Sequence, residues 1–474
     1  MTVAVAAGRT AWTTTAMSRY AQGLLVAAIA WGAFAFGAVY PWAYWSLAIA
    51  LLGVAASSLL ASAPSLRSMH LRGFAAALGL LAVVAALQLL PLPLNAVRTM
   101  SPHALDVLER LDLSIAAHLV QRHPLSIAPG RTGIGLALFV ALALFVLGSA
   151  RLISIRGARG LAEALAIIGV ILALTGIIQQ PMFTGKIYGF WTPRDSSSAF
   201  GPFVNKNHFA GWMLMTLPVT IGLLGGAVAR GMRGVKATWR DRVLWLSSPD
   251  ASRLILLAAA AGVMALSLVL TLSRSGIAAM AAAVGITGVV ALRRQRTATR
   301  RAIATSYLTL LIVVTIGWVG VDALVARFTN ADWTELNDRR GAWADAIGVI
   351  SDFPLVGAGL DTYGVATLLY QRHDLSHYYA EAHNDYLQLA AEGGLLLTIP
   401  AVLCVATFAA AVRRRFSDET SATAYWIRVG AVTGLTAIAL QETVDFSLQM
   451  PGNAALFATL CGIALHATPG RRPR

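Results

Sequence analysis

Apolar residues run through this chain in long blocks, each near the ~20 residues needed to cross a hydrocarbon core about 30 Å thick. Read as membrane spans, the blocks fall at approximately 21–39, 42–62, 73–93, 132–150, 160–180 and 207–229. Six more follow at 254–271, 276–292, 303–322, 386–412, 426–446 and 453–468, which makes twelve. Backbone groups in lipid must bond to one another, and a closed barrel would show alternating strands of about ten residues. No such alternation is present. The pattern predicts an all-α, polytopic membrane protein.

Composition narrows the class further. Of the 474 residues, 57% are hydrophobic and only 12% charged, about half the charged share of a soluble domain. With 12 Trp, 11 Tyr and 16 Phe as well, a disordered chain, a coiled coil and an ordinary cytosolic enzyme are excluded. The two cysteines, Cys404 and Cys461, sit inside apolar runs and make neither a disulfide framework nor a metal set. The first apolar run leads directly into further spans, so no cleavable signal is expected.

The net charge of +15 would point to nucleic acid in a soluble chain. Here most Lys and Arg stand in alternate breaks between spans, where they set orientation. Arg9 and Arg19, Arg67 and Arg72, Arg151 to Arg159, Arg230 to Arg253, Arg293 to Arg301, Arg413 to Arg415 and Arg471 to Arg474 fall on one side, with Arg428 at a span edge. Both termini are therefore expected in the cytoplasm. Three outer segments are long: 94–131, 181–206 and 323–385. The chain divides into N-terminal helices with outer loops (1–200), a second membrane region (201–468) holding the 323–385 loop, and a basic tail (469–474).

Within the longest loop, Trp343, Ala346, Ile347 and Ile350 recur at i, i+3, i+4 and i+7, the stripe of an amphipathic helix suited to the membrane interface. Pro354 ends it, and Gly357 and Gly359 mark a turn.

Ionisable groups at span ends are costly and are functional candidates by default. Ser273-Arg274-Ser275-Gly276 joins two apolar runs. Its plain alternative is a hairpin turn in which Ser275 caps the second helix and Arg274 snorkels to the interface. Lys206, Asn207 and His208 open the sixth span, where free N–H groups and the helix dipole suit an anion. Capping by Asn205 or Asn207 is the ordinary explanation there.

Further on, Glu381 and His383 precede Asp385, Gln388 and Glu392, the last three at i, i+3 and i+7. Glu442, Asp445 and Gln449 repeat that spacing in the eleventh span. The two polar faces predict an organised charged cavity, with interhelical hydrogen bonding as the alternative. His373, His377 and His383 lack zinc spacing, so no metal is expected. There is no G-x-S-x-G elbow, P-loop or dinucleotide fingerprint, hence no nucleotide cofactor.

Several segments together resemble one family. TLSRSG, DRRGAW, DFPLVGAGLDTYG and AHNDYLQLAAEGG, flanked by GPFVNKNHFAG and VDFSLQMPGNAALF, look like the signature regions of the O-antigen ligase and O-antigen polymerase superfamily. QLLPLPLN and PLSIAPGRT are similar upstream. The resemblance implies a C-type glycosyltransferase-like fold in the bacterial inner membrane, with the long periplasmic loop over an outer cavity. It implies transfer of a glycan from undecaprenyl pyrophosphate to an acceptor hydroxyl, without cofactor or required metal.

Carried over by motif, Arg274 and either Arg339 or Arg340 would bind the pyrophosphate and His383 would activate the acceptor. Lys206, His208, Glu381, Asp385, Glu392, Glu442 and Asp445 are supporting candidates. The expected partners are the lipid-linked donor, a glycan or lipid A core acceptor and membrane lipids, with no nucleic acid and no indication of oligomeric state. The leading expectation is a repeat-unit polymerase, with a ligase to lipid A core as the alternative. The short Thr468–Arg474 tail argues against a protein-directed transferase. A secondary transporter, which often shows two related halves, is the rival of a different class, and no such repeat is visible.

Overall fold

The computed structural model describes residues 2–61, 63–193, 198–231, 249–294 and 334–468. The expected ninth span, 303–322, lies outside the described residues. So do the start of the long loop, the tail 469–474, Arg194, and the basic residues of 232–248 and 295–301.

The described chain is mostly helical, as an all-α membrane protein should be. Its helices are α1 (Thr2–Phe34), α2 (Pro41–Leu60) and α3 (Arg72–Leu87), then the short α4 (Leu94–Met100), α5 (Pro102–Leu111) and α6 (Leu113–Ala116). Next come α7 (Pro129–Arg156), α8 (Arg159–Gln179), α9 (Lys206–Gly231), α10 (Pro249–Leu270) and α11 (Arg274–Arg294). The 334–468 stretch carries α12 (Thr334–Asp352), α13 (Tyr363–Tyr370), α14 (Asp385–Asp418), α15 (Ala422–Gln441) and α16 (Pro451–Leu465). Each expected span other than 303–322 falls on a helix. Among the described residues, 7 helices are long and apolar enough to cross a membrane, while α3 and α16 are apolar but shorter.

The bundle is tightest between α9 and α15, and the sequence shows why. Gly222 and Gly226 on α9 and Gly430 and Gly434 on α15 are each four apart. A Cβ at Gly222 would strike the Trp426 carbonyl, and one at Gly430 the Pro218 carbonyl. Small residues at this spacing let helix backbones close up where lipid offers no hydrophobic drive between helices. At one end of the bundle Arg428 is fully buried rather than a loop residue at a span edge. Its guanidinium pairs with Glu419 at 2.7 Å and donates to the carbonyls of Ala464 and His466, tying α15 to the end of α16.

One expectation within the loop segment needs correction, and the span after it carries a break. The α12 face that is buried runs through Ala342, Ala346, Val349 and, just past the helix, Phe353, while Ile347 is 54% exposed. The helix packs against α14 and α13, and that tertiary contact selects a different stripe. The break in α14 is at Gly394, whose φ is +53°. The freed Leu395 and Leu396 N–H groups donate to the carbonyls of Pro354 and Leu355, while Ala358 and Gly359 donate back to Ala391 and Glu392. Glycine is required twice here, because a Cβ at Gly357 would strike the Glu392 carbonyl and Gly394 is left-handed. The AEGG and PLVGAG segments are two halves of one joint.

Candidate active site

Four helices begin at the end of the bundle opposite Arg428: α9, α11, α14 and α16. Each start is set by local chemistry. Asn205 caps α9 by accepting the Asn207 N–H at 2.8 Å. Ser273, rather than Ser275, caps α11 through Gly276 N–H, because Arg274 already begins the helix. Gly276 sits in the first turn, where a Cβ would stand 2.9 Å from the Ala210 methyl. Asn384 caps α14, accepting from Tyr386 and Leu387 at 3.0 Å each. Helix N-termini present unpaired N–H groups and a positive dipole, so this end is biased toward anions.

The segment 442–450 stitches these starts together. Glu442, Asp445 and Gln449 were expected on one face of a helical span. Instead α15 ends at Gln441, and the three lie in the turn leading to α16. Asp445 is fully buried. It accepts from Ser275 Oγ at 3.4 Å and from Phe446 N–H at 3.0 Å, and stands 3.7 Å from the Arg339 guanidinium. Gln441 and Ser447 donate to the Asn207 carbonyl and Asn453 to that of His208. Gln449 donates to Asp385 at 3.0 Å, and the Asp385 N–H donates to the Glu442 carbonyl.

Asp445 therefore joins the helix start that carries Arg274 to the helix that carries Arg339. Arg339 is half-buried and Arg340 is exposed, which separates a pair the sequence left equivalent. Arg274 Nε is buried and receives no protein partner, an open donor of the kind an incoming oxyanion would satisfy.

His383 adopts a left-handed conformation, φ +50°, and its carbonyl accepts from Trp343 Nε1 at 3.2 Å. Phe446 is wedged between two imidazoles: His383 and His208 each meet its ring edge-on at 4.7 Å. His383 Nδ1 and His208 Nε2 are buried without hydrogen-bond partners. Burial, reinforced by the Arg339 charge, lowers the His383 pKa to about 4, so the imidazole is neutral near pH 7.

Carboxylates gather on another flank. Burial pushes the Glu381 carboxyl up to about 7, with Arg131 pulling it down and Asp361 and Asp385 pushing it up. Glu392 lines a cavity beside Asp361 and Asp385. Its oxygens are already engaged, by the N–H groups of Asp361 and Tyr363 at 2.8 and 3.1 Å and by Gln388 at 3.1 Å, and it holds the start of α13. The upstream motifs dock on this region: Gln88 bridges Val356, Leu360 and Glu392, and Arg131 pairs with Asp361 at 3.1 Å. Lys206 opens α9. Of the other histidines, His373 bonds Asp345 and His377 bonds Asp374. Among the described residues no three His, Cys, Asp or Glu are grouped to hold a metal.

The contacts made by Phe446, Trp343 and Gln88, and the buried position of Asp445, escaped sequence reasoning. The turn ETVDFSLQM reads as continuous helix until a tertiary neighbour claims its backbone.

Fold and site define a polytopic helical membrane protein in which Arg274, Arg339, Asp445 and His383 come together where four helices begin. Residues 259–402 match the O-antigen ligase family model, which supports membership of the O-antigen ligase/polymerase superfamily and glycan transfer of that general type. No curated protein matches the chain.

Proposed function

We propose that this protein transfers a glycan from undecaprenyl pyrophosphate to an acceptor hydroxyl at the outer face of the inner membrane, as a surface-polysaccharide repeat-unit polymerase. The observation that carries the reading is the meeting, at buried Asp445, of the Arg274 helix start and Arg339, with His383 in the field of the same arginine.

In the proposed reaction the acceptor oxygen bonds to the anomeric carbon as the bond from that carbon to the pyrophosphate oxygen breaks. Charge grows on the leaving pyrophosphate, and Arg274 and Arg339 offer permanently charged planar donors to it. Stabilising charge where it develops is usually the largest catalytic contribution. His383 takes the hydroxyl proton. Its low pKa leaves it free to accept, and an anion bound beside Arg339 would offset that charge and raise its basicity toward the working range.

The test is single-turnover transfer by purified protein in nanodiscs with lipid-linked repeat units. Arg274→Ala should nearly abolish it, and Arg274→Lys, which keeps charge without the fork, should remain clearly impaired. His383→Ala should slow the step by about two to four orders of magnitude while donor binding survives. Wild-type rates in both Ala variants would end the reading. Transfer only to lipid A core would replace the polymerase with a ligase.

A further inference from the structure

A cavity of about 240 Å³ opens between α2, α7, α14 and α16. One part is apolar, with Leu47, Leu138 and Phe139 among its walls, and the other is closed by Asp361, Asp385, Glu392 and Gln449. Among the described residues no Lys, Arg or His lines it. Arg131 reaches Asp361 from a largely exposed position. Behind Asp385 stands Glu442, 1% exposed. Its carboxyl lies against that of Asp385, and the two carboxyls share a hydrogen bond. Each carboxylate oxygen has about two acceptor positions, and Asp385 accepts from Gln449 through one of its oxygens. Asp385 therefore keeps acceptor capacity toward the cavity that it lines.

The site is thus two-sided. Arginines and helix starts make one flank suited to an anion, whereas this cavity offers acceptor oxygens beside an apolar wall. We propose that the cavity receives the acceptor: a hydroxyl-rich, uncharged or amino-bearing sugar, its hydroxyls donating to Asp361 and Asp385 and its C–H face packing on Leu138 and Phe139. Phosphorylated sugars should be disfavoured, because a phosphate would face the carboxylates while the nearby Arg131 guanidinium is already paired with Asp361. This rests on the transferase reading above, and it makes the acceptor chemically distinct from a phosphate-bearing lipid head.

The experiment separates the two ideas. The full-length protein in nanodiscs is photolabelled with a neutral octyl glucoside carrying a diazirine in its alkyl chain, and with the 6-phosphate of the same probe. The neutral probe should label peptides of α2 or α7 about tenfold more strongly than the phosphate, the worth of one or two hydrogen bonds to charged groups. Leu138→Trp and Leu142→Trp, which fill the cavity from half-buried positions, should remove the label. Asp361→Asn should narrow the preference between the probes.

Equal labelling by both probes, or labelling unmoved by both Trp variants, overturns the proposal. In transfer assays with a lipid-linked repeat unit as donor and the same repeat unit on a short-chain carrier as a separate acceptor, Leu138→Trp should raise the acceptor KM about tenfold with donor KM and kcat held. Labelling without that KM change removes the acceptor role. If no donor and acceptor pair supports transfer at all, the transferase reading fails, while the labelling still decides whether the cavity takes a neutral sugar.

Discussion

Asp445→Asn is the most direct probe of how this site is assembled. The substitution keeps the size of the side chain and one carbonyl oxygen for the Phe446 N–H at 3.0 Å, while the new amide N–H can donate to the Ser275 hydroxyl, which lies 3.4 Å from the other oxygen. It removes the charge that faces Arg339 at 3.7 Å. Breaking a fully buried ion pair costs about 3–5 kcal/mol. Arg339 is 19% exposed and the separation is long, so solvent screens part of this and about 1–2 kcal/mol is the reasonable loss of stability. The effect on turnover should be larger than that on folding, since an arginine without its anchor must be ordered when substrate binds.

A tenfold to hundredfold drop in kcat/KM corresponds to about 1.4–2.8 kcal/mol. The assay is single-turnover transfer, with thermal unfolding of the same sample as the stability control. Arg339→Gln should be at least as damaging alone. The double variant should be no worse than Arg339→Gln, because the two residues act through one contact. Additive losses, or wild-type kcat/KM in Asp445→Asn, would refute the idea that Asp445 positions Arg339. Ser275→Ala, which removes only a long hydroxyl contact, should change kcat/KM less than threefold, roughly the worth of a weak hydrogen bond.

Arg339 and Arg340 should separate cleanly: Arg340→Ala stays near wild-type rate in the transfer assay while Arg339→Ala falls steeply, and the reverse order would place the wrong arginine in the site. Asn384→Ala removes the α14 cap and should cost about 1 kcal/mol of stability, read as a lower melting temperature with the per-molecule rate largely kept. The acidic limb of kcat/KM reports the free enzyme's base. With the His383 pKa lowered to about 4, neutral imidazole persists as pH falls through 6.5 and is lost only near pH 4. A limb near pH 6.5 would mean that His383 is solvated or is not the base.

Much of this protein was legible in the order of its residues. Long apolar runs with no water to bond their backbone leave helix as the open solution, and the described helices fall where those runs do. Capping is equally local: Asn205, Ser273 and Asn384 stop the chain where a short polar side chain can reach its own next N–H groups. The segments around Arg274 and His383 were also visible as polar interruptions too costly to be idle.

Contacts between distant segments decided the rest. Helical periodicity ran straight through Glu442, Asp445 and Gln449, and the helix stops short of them because their backbone and carboxylates are claimed by Asn384, Asp385 and Ser275 from elsewhere in the chain. Nothing local separates Arg339 from Arg340. One turns toward Asp445 because α12 buries the Ala342–Ala346–Val349 stripe, a choice made by its neighbours α13 and α14. Glu392 illustrates the same division, since composition marks it as a costly buried acid and only the fold supplies the two backbone N–H groups that satisfy it. Local sequence fixes periodicity and caps because these depend on residues within a turn of one another. Which charge meets which is set by segments hundreds of residues apart, and so by packing.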